Sequence, residues 1–264
     1  MFGFLAMTKI FFGVVTALLF VSTLHAAPVA VRFPEGSLHG FLAVRALDGE
    51  TLGYGEQFQS FRDGGIEARL ILRLNDGSVH DETVVFTQQK VFMVRSYRLV
   101  QRGPSFPKPL DGSVDRASQQ FKVKYRDENE TEKLAEGRLE LPPDLYNGMQ
   151  SIVLKNLQKG ASETINLVAF TPEPKIVEIK LTPGGTDSFY LGKTEKKATD
   201  YLLKPQLGLV GVLAAVIGKK PPDYHYWILD GDAPAFLAFE GPLYLDGPIR
   251  RVELASPRRR KEKR

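Results

Sequence analysis

Histidines and carboxylates are the side chains best placed to move protons or hold a metal, because the chain contains no cysteine. His80 lies in Val79-His80-Asp81-Glu82-Thr83. On a strand, His80 and Glu82 share one face and Asp81 points to the other. Two ligands on one face could begin a metal site, but a structural site usually takes four, and no other histidine is near in sequence. The expected setting of His80 and Glu82 is therefore a solvent-facing polar edge. His225 sits between Tyr224 and Tyr226, beside Trp227. Aromatics mostly pack, so a core position or strand edge is expected there, with a polar group inside a pocket as the alternative. Asp127, Glu128, Glu130 and Glu132 could do acid–base work if suitably separated, but a charged hairpin tip over 126–133 is the simpler expectation. Ser105 has no local base, and the chain has no Gly-x-Ser-x-Gly elbow and no phosphate-binding glycine loop. No catalytic residue, metal ligand or cofactor is assigned on these residues.

The elements that would position such groups read as strands. Ile66, Ala68, Leu70, Leu72 and Leu74 alternate with Glu67, Arg69 and Arg73, the pattern of a half-buried antiparallel strand. The same period recurs at Phe121, Val123 and Tyr125, at Leu139 and Leu141, and at Val177, Ile179 and Leu181. Asp-Gly occurs at Asp48, Asp63, Asp76, Asp111, Asp230 and Asp246. This pair tolerates the positive φ of tight hairpins and so predicts a meander sheet. Two segments break the period. Leu145, Tyr146, Met149, Ile152, Val153 and Leu157 follow Pro142-Pro143 at helical spacing and predict a helix over 144–158. Residues 207–217 are apolar all round and too short to span a bilayer. A helix of that kind must be covered by protein or ligand. The expected fold class is α+β: a curved, half-barrel-like antiparallel sheet with one or two helices packed on or in it.

The ends carry different signals. Residues 10–24 form an apolar run after a single charge, Lys9, and lead to Ala26-Ala27. This predicts a secretory signal over 1–27 and a periplasmic or secreted protein, an uncleaved anchor being the alternative. Without Lys9 and the tail 256–264, the chain holds 28 basic and 30 acidic residues. The formal charge of +4 is therefore terminal, in a tail expected to be disordered. That tail is suited to an anionic membrane surface, and nucleic acid is an unsuitable partner for an exported chain. Residues 28–255 are expected to form one β-rich domain.

Asp63-Gly64-Gly65-Ile66, Asp76-Gly77-Ser78, Asp81-Glu82-Thr83 and the run Gln101, Arg102, Gly103, Pro104, Ser105, Phe106, Pro107 resemble a group of exported bacterial proteins of unknown function. The resemblance is specific over about residues 60–110 and looser through 158, where the stretch Leu139-Glu140-Leu141-Pro142-Pro143-Asp144-Leu145-Tyr146-Asn147-Gly148 is similar as well. It implies an exported β-sheet protein and no particular activity. At the level of fold the chain is also similar to periplasmic lipid and lipoprotein carriers, which wrap a sheet around an apolar cavity. That analogy gives the leading expectation of a non-enzymatic protein holding a lipid or other apolar ligand. Leu209, Val212, Val216, Tyr226 and Trp227 are its cleft candidates. One alternative is an envelope assembly protein acting on a protein partner. Another is an enzyme assembled from distant residues such as His80, Glu82 and His225.

Overall fold

The protein, seen in a computed structural model, is described over residues 28–191, 193–206, 223–255 and 257–259. The expected signal over 1–27 lies outside the described residues. So does the apolar run 207–217 with Leu209, Val212 and Val216.

Strands β1 (Leu38–Arg45), β2 (Thr51–Arg62), β3 (Gly65–Leu74), β4 (Val79–Gln88), β5 (Phe92–Arg102), β6 (Leu110–Asp115), β7 (Gln120–Arg126) and β8 (Glu132–Arg138) form one antiparallel meander. After helix α1 (Gln150–Asn156) a second meander follows: β9 (Glu163–Ala169), β10 (Lys175–Leu191), β11 (Thr194–Pro205), β12 (Tyr224–Leu229), β13 (Ala235–Pro242) and β14 (Ile249–Leu254). Pairing of β14 with β1 joins the two into a single sheet. The short β15 (Pro257–Arg259) lies along β10. Part of the basic tail is thus a strand rather than free chain, because the far half of β10 offers an unpaired edge.

Asp-Gly turns connect β1 to β2, β2 to β3, β3 to β4, β12 to β13 and β13 to β14, with positive φ at Gly49, Asp63, Gly64, Gly77, Gly231 and Asp246. Asp111-Gly112 is the exception. It lies inside β6, where the Phe170 ring packs against Gly112 so closely that a Cβ would meet it at 2.5 Å. The carboxylates at 127–132 sit at the β7–β8 hairpin, as their composition suggests.

The sheet curls. Register shifts interrupt the pairing at Val44/Arg45, Val85/Phe86 and Trp227/Ile228, and bulges of this kind sharpen local twist and bend. On β2, Gly55 lets Leu72 press onto the backbone; a Cβ there would sit 2.5 Å from its side chain. The curl brings β3–β6 opposite β9–β12 across α1. Ile66, Val84, Phe86 and Val94 share one core with Ile165, Leu181, Leu203 and the α1 residues Ile152, Val153 and Leu154. A second core gathers Leu42, Val44, Leu72, Leu74, Phe106 and Val252 further along the same inner face.

The sheet path runs from β15 to β8, with β9 branching from β10, and no pairing joins β8 to β9. Residues 139–149 span that gap. Arg116 donates to the carbonyls of Val94, Leu141 and Pro142 at 2.6, 2.7 and 2.8 Å. The Tyr146 amide donates to the Asn166 carbonyl, and the Asn166 amide to that of Asp144. The Asn147 side chain makes both bonds of a strand partner with Val168. These contacts shorten the helix expected over 144–158: its first part spends its backbone groups on β9, leaving only Gln150–Asn156 helical. Helix among the described residues is therefore limited to one short element, and the fold is more nearly all-β than expected.

Candidate functional site

Strands β3 and β4 run ten residues each, about 33 Å at ~3.3 Å per residue. Helix α1 has seven residues, about 10 Å at ~1.5 Å per residue. Among the described residues, the helix therefore fills one end of the curl and the middle is left unfilled. A cavity of about 340 Å³ occupies that space. Its walls are mainly aliphatic and aromatic, among them Leu70, Leu99, Val177, Tyr226 and Phe239. Leu245 lines it and is also exposed, so it reaches solvent beside the β13–β14 turn.

The inner row of β3 shows how sequence places the cavity. Ile66 and Ala68 belong to the helix-side core, Leu72 and Leu74 to the second core, and Leu70 lines the cavity between them. Its neighbour β4 has the same three-part layout. Val84 and Phe86 pack near the helix, Glu82 lies level with Leu70 by register, and His80 is next to it.

His80 and Glu82 thus face the interior, not solvent, and His80 is only 6% exposed. The reversal has a physical cause: their polar atoms are served by β5. The Gln101 amide donates to the Leu243 carbonyl at 2.6 Å, so the same nitrogen, 3.0 Å from His80 Nδ1, is a donor there too. A carbonyl can only accept. His80 Nδ1 is therefore an acceptor and the ring hydrogen sits on Nε2, 4.0 Å from Glu82 Oε2. The other oxygen of Glu82 accepts a bond from the Tyr97 hydroxyl at 2.7 Å. Burial, then the nearby Glu82 charge, pushes the Tyr97 phenol well above its ordinary range. The same two causes, in the same order, raise Tyr226. Both phenols remain protonated, and Tyr97 stays a donor.

Tyr226 faces the cavity, but its neighbours do not. Trp227 points to the opposite face of β12, buried against Phe189, Leu237 and Ala238, and its indole donates to Asp187 at 2.6 Å. The correction to Trp227 as a cleft residue follows from strand alternation. His225 is on that outer face too, 3.0 Å from both Asp200 oxygens and stacked on Trp227. The sheet therefore separates His225 from the His80–Glu82 pair. Among the described residues no three His, Asp or Glu side chains come together as a metal site.

A scan of protein-family models finds no match, and no curated protein matches the chain. Among solved structures, the chain is similar to the crystal structure of a β-barrel-like protein of domain of unknown function DUF1849 from Brucella abortus. The two are 10% identical, with a TM-score of 0.46 over 86% of this chain and 99% of that one.

The run 102–107 takes part in a structural joint. The Ser105 amide donates to Ser78 Oγ at 2.8 Å, and its hydroxyl to Asp76 at 2.6 Å. That hydroxyl bond is the main cause holding the Asp76 carboxyl below its ordinary range. Arg250 donates to the same hydroxyl at 3.1 Å. Gly103 has φ +101, and a Cβ on it would meet the Ser78 backbone at 2.6 Å. Phe106 is buried beside His80 and Tyr244. Two pieces of the pattern, Asp76-Gly77-Ser78 and Gly103 through Phe106, are thus one joint that ties the β3–β4 turn to the β5–β6 connection. The joint closes the second core next to the cavity.

Proposed function

We propose that the protein is an exported, non-enzymatic binding protein that holds a small apolar or amphiphilic molecule inside its curled sheet. The observation that carries this reading is the apolar cavity of about 340 Å³ that the described residues leave beyond the short α1. Pockets for small ligands are concave, mostly apolar and furnished with a minority of polar groups, and the polar side chains Gln57, His80, Glu82, Gln150 and Ser151, with the hydroxyls of Tyr97, Tyr224 and Tyr226, fit that description. Export rests on the apolar N-terminal run of the sequence.

The test is a titration of the delipidated protein with an environment-sensitive apolar dye. Saturable binding of about one dye per chain is expected. A ligand at 100 times its Kd should raise stability by about 2.7 kcal/mol. Partition that never saturates, with no change in melting, would remove the reading.

A second reading, envelope assembly through protein contacts, is favoured by one feature. Phe41 and Tyr54 stand on the outer face of β1 and β2, 61% and 63% exposed. Loss of a co-purifying partner on changing both to serine would support it.

A further inference from the structure

We infer that the ligand of this cavity carries a single hydroxyl group, which docks between Glu82 and His80; the inference rests on the cavity being a binding site. An apolar ligand needs nothing from a carboxylate, and a charged group in such a setting costs free energy unless it is paired. Glu82 nevertheless lies on the inner face, with Leu70 beside it on β3 and Tyr97 on β5. One of its oxygens is used by Tyr97. The other, Oε2, has its nearest ion-pair partner, His80 Nε2, at 4.0 Å, beyond hydrogen-bond length.

The chemistry of the gap is asymmetric. Glu82 Oε2 offers an acceptor. Gln101 fixes the proton of His80 on Nε2, which offers a donor. The group that complements one acceptor and one donor set 4.0 Å apart is one that both donates and accepts. A hydroxyl does so with a single oxygen seated against both. A carboxylate head would bring a second negative charge to Glu82. An ammonium head would satisfy Glu82 but could accept nothing from His80. An alkane would leave both groups unpaired. The apolar walls would hold the rest of such a molecule.

The experiment is displacement of the apolar dye by a chain-matched set: a long-chain primary alcohol, amine, carboxylate and alkane. A hydrogen bond to a charged group is stronger than one between neutral groups, so the alcohol should displace dye at a concentration at least about tenfold lower than the alkane or the carboxylate. In Glu82→Leu the advantage of alcohol over alkane should disappear. In the near-isosteric Glu82→Gln the penalty on the carboxylate should disappear while the alcohol still binds. Melting curves of both variants establish that they are folded. Equal displacement by alcohol and carboxylate in the unaltered protein would overturn the inference, as would an unchanged order in Glu82→Leu. Dye that binds with no preference among heads defeats this inference alone, whereas dye that does not bind at all defeats the cavity reading itself.

Discussion

Replacing Lys155 with methionine should destabilise the protein by about 3–5 kcal/mol, the usual cost of stranding one member of a buried ion pair. Lys155 on α1 sits 2.6 Å from Glu35, with side-chain exposures of 13% and 7%. Glu35 belongs to an N-terminal strap that closes the helix end of the curl. The strap is held by a lattice of other bonds. Asn156 accepts from the Arg32 and Phe33 amides at 2.8 and 2.7 Å. Gln88 bonds the backbone of Glu35 in both directions. The Tyr146 hydroxyl accepts from the Val29 amide at 2.8 Å, and burial pushes that phenol up to about 12. Because the strap is pinned elsewhere, the Glu35 carboxylate cannot swing to water when Lys155 is lost. Urea unfolding should therefore show a large drop in midpoint for Lys155→Met. The double variant with Glu35→Leu should recover most of it, since a hydrophobic pair often replaces a buried ion pair at little cost. A loss below about 1 kcal/mol in the single variant would put the pair in the range of exposed bridges and the strap outside the closure.

Filling the cavity should weaken binding at least about tenfold without unfolding the chain. Ser151 is small, lies on α1 and lines the cavity. A tryptophan there would take up a large share of the 340 Å³ while leaving both cores untouched. Dye affinity should fall at least about tenfold, or ~1.4 kcal/mol, with a melting temperature close to that of the unaltered protein. A folded Ser151→Trp that binds dye as before would place binding elsewhere on the molecule.

How much of this was legible in the sequence differs by element. The β3 alternation was plain, because a strand with one buried face writes its period directly. Five of the six Asp-Gly pairs mark turns for the same local reason, and Asp111-Gly112 fails because Phe170, remote in sequence, claims the space over it. The helix expected over 144–158 was cut short by backbone bonds to β9, a partner that periodicity does not reveal. The candidate site was the least legible part. His80 and Glu82 looked like solvent-facing polar residues because nothing adjacent in the chain could satisfy them. Their partners Gln101 and Tyr97 come from β5, and only the register of β4 on β5 brings them near. One local signal was present: His80 and Glu82 share their parity with Val84 and Phe86, the most deeply buried residues of that strand. Polar residues in phase with a buried apolar row mark a polar patch in an interior, and here it falls where the helix runs out.

The central claim is that the interior of the sheet, between its two cores, holds a small amphiphile. Anomalous diffraction from crystals grown with a bromine-tagged long-chain alcohol tests it most directly. A bromine peak is expected inside the curl, among the apolar walls that include Leu70 and Phe239, at a ligand concentration that displaces the dye. Bromine found only on the outer surface, or none in the cavity at that concentration, would contradict it.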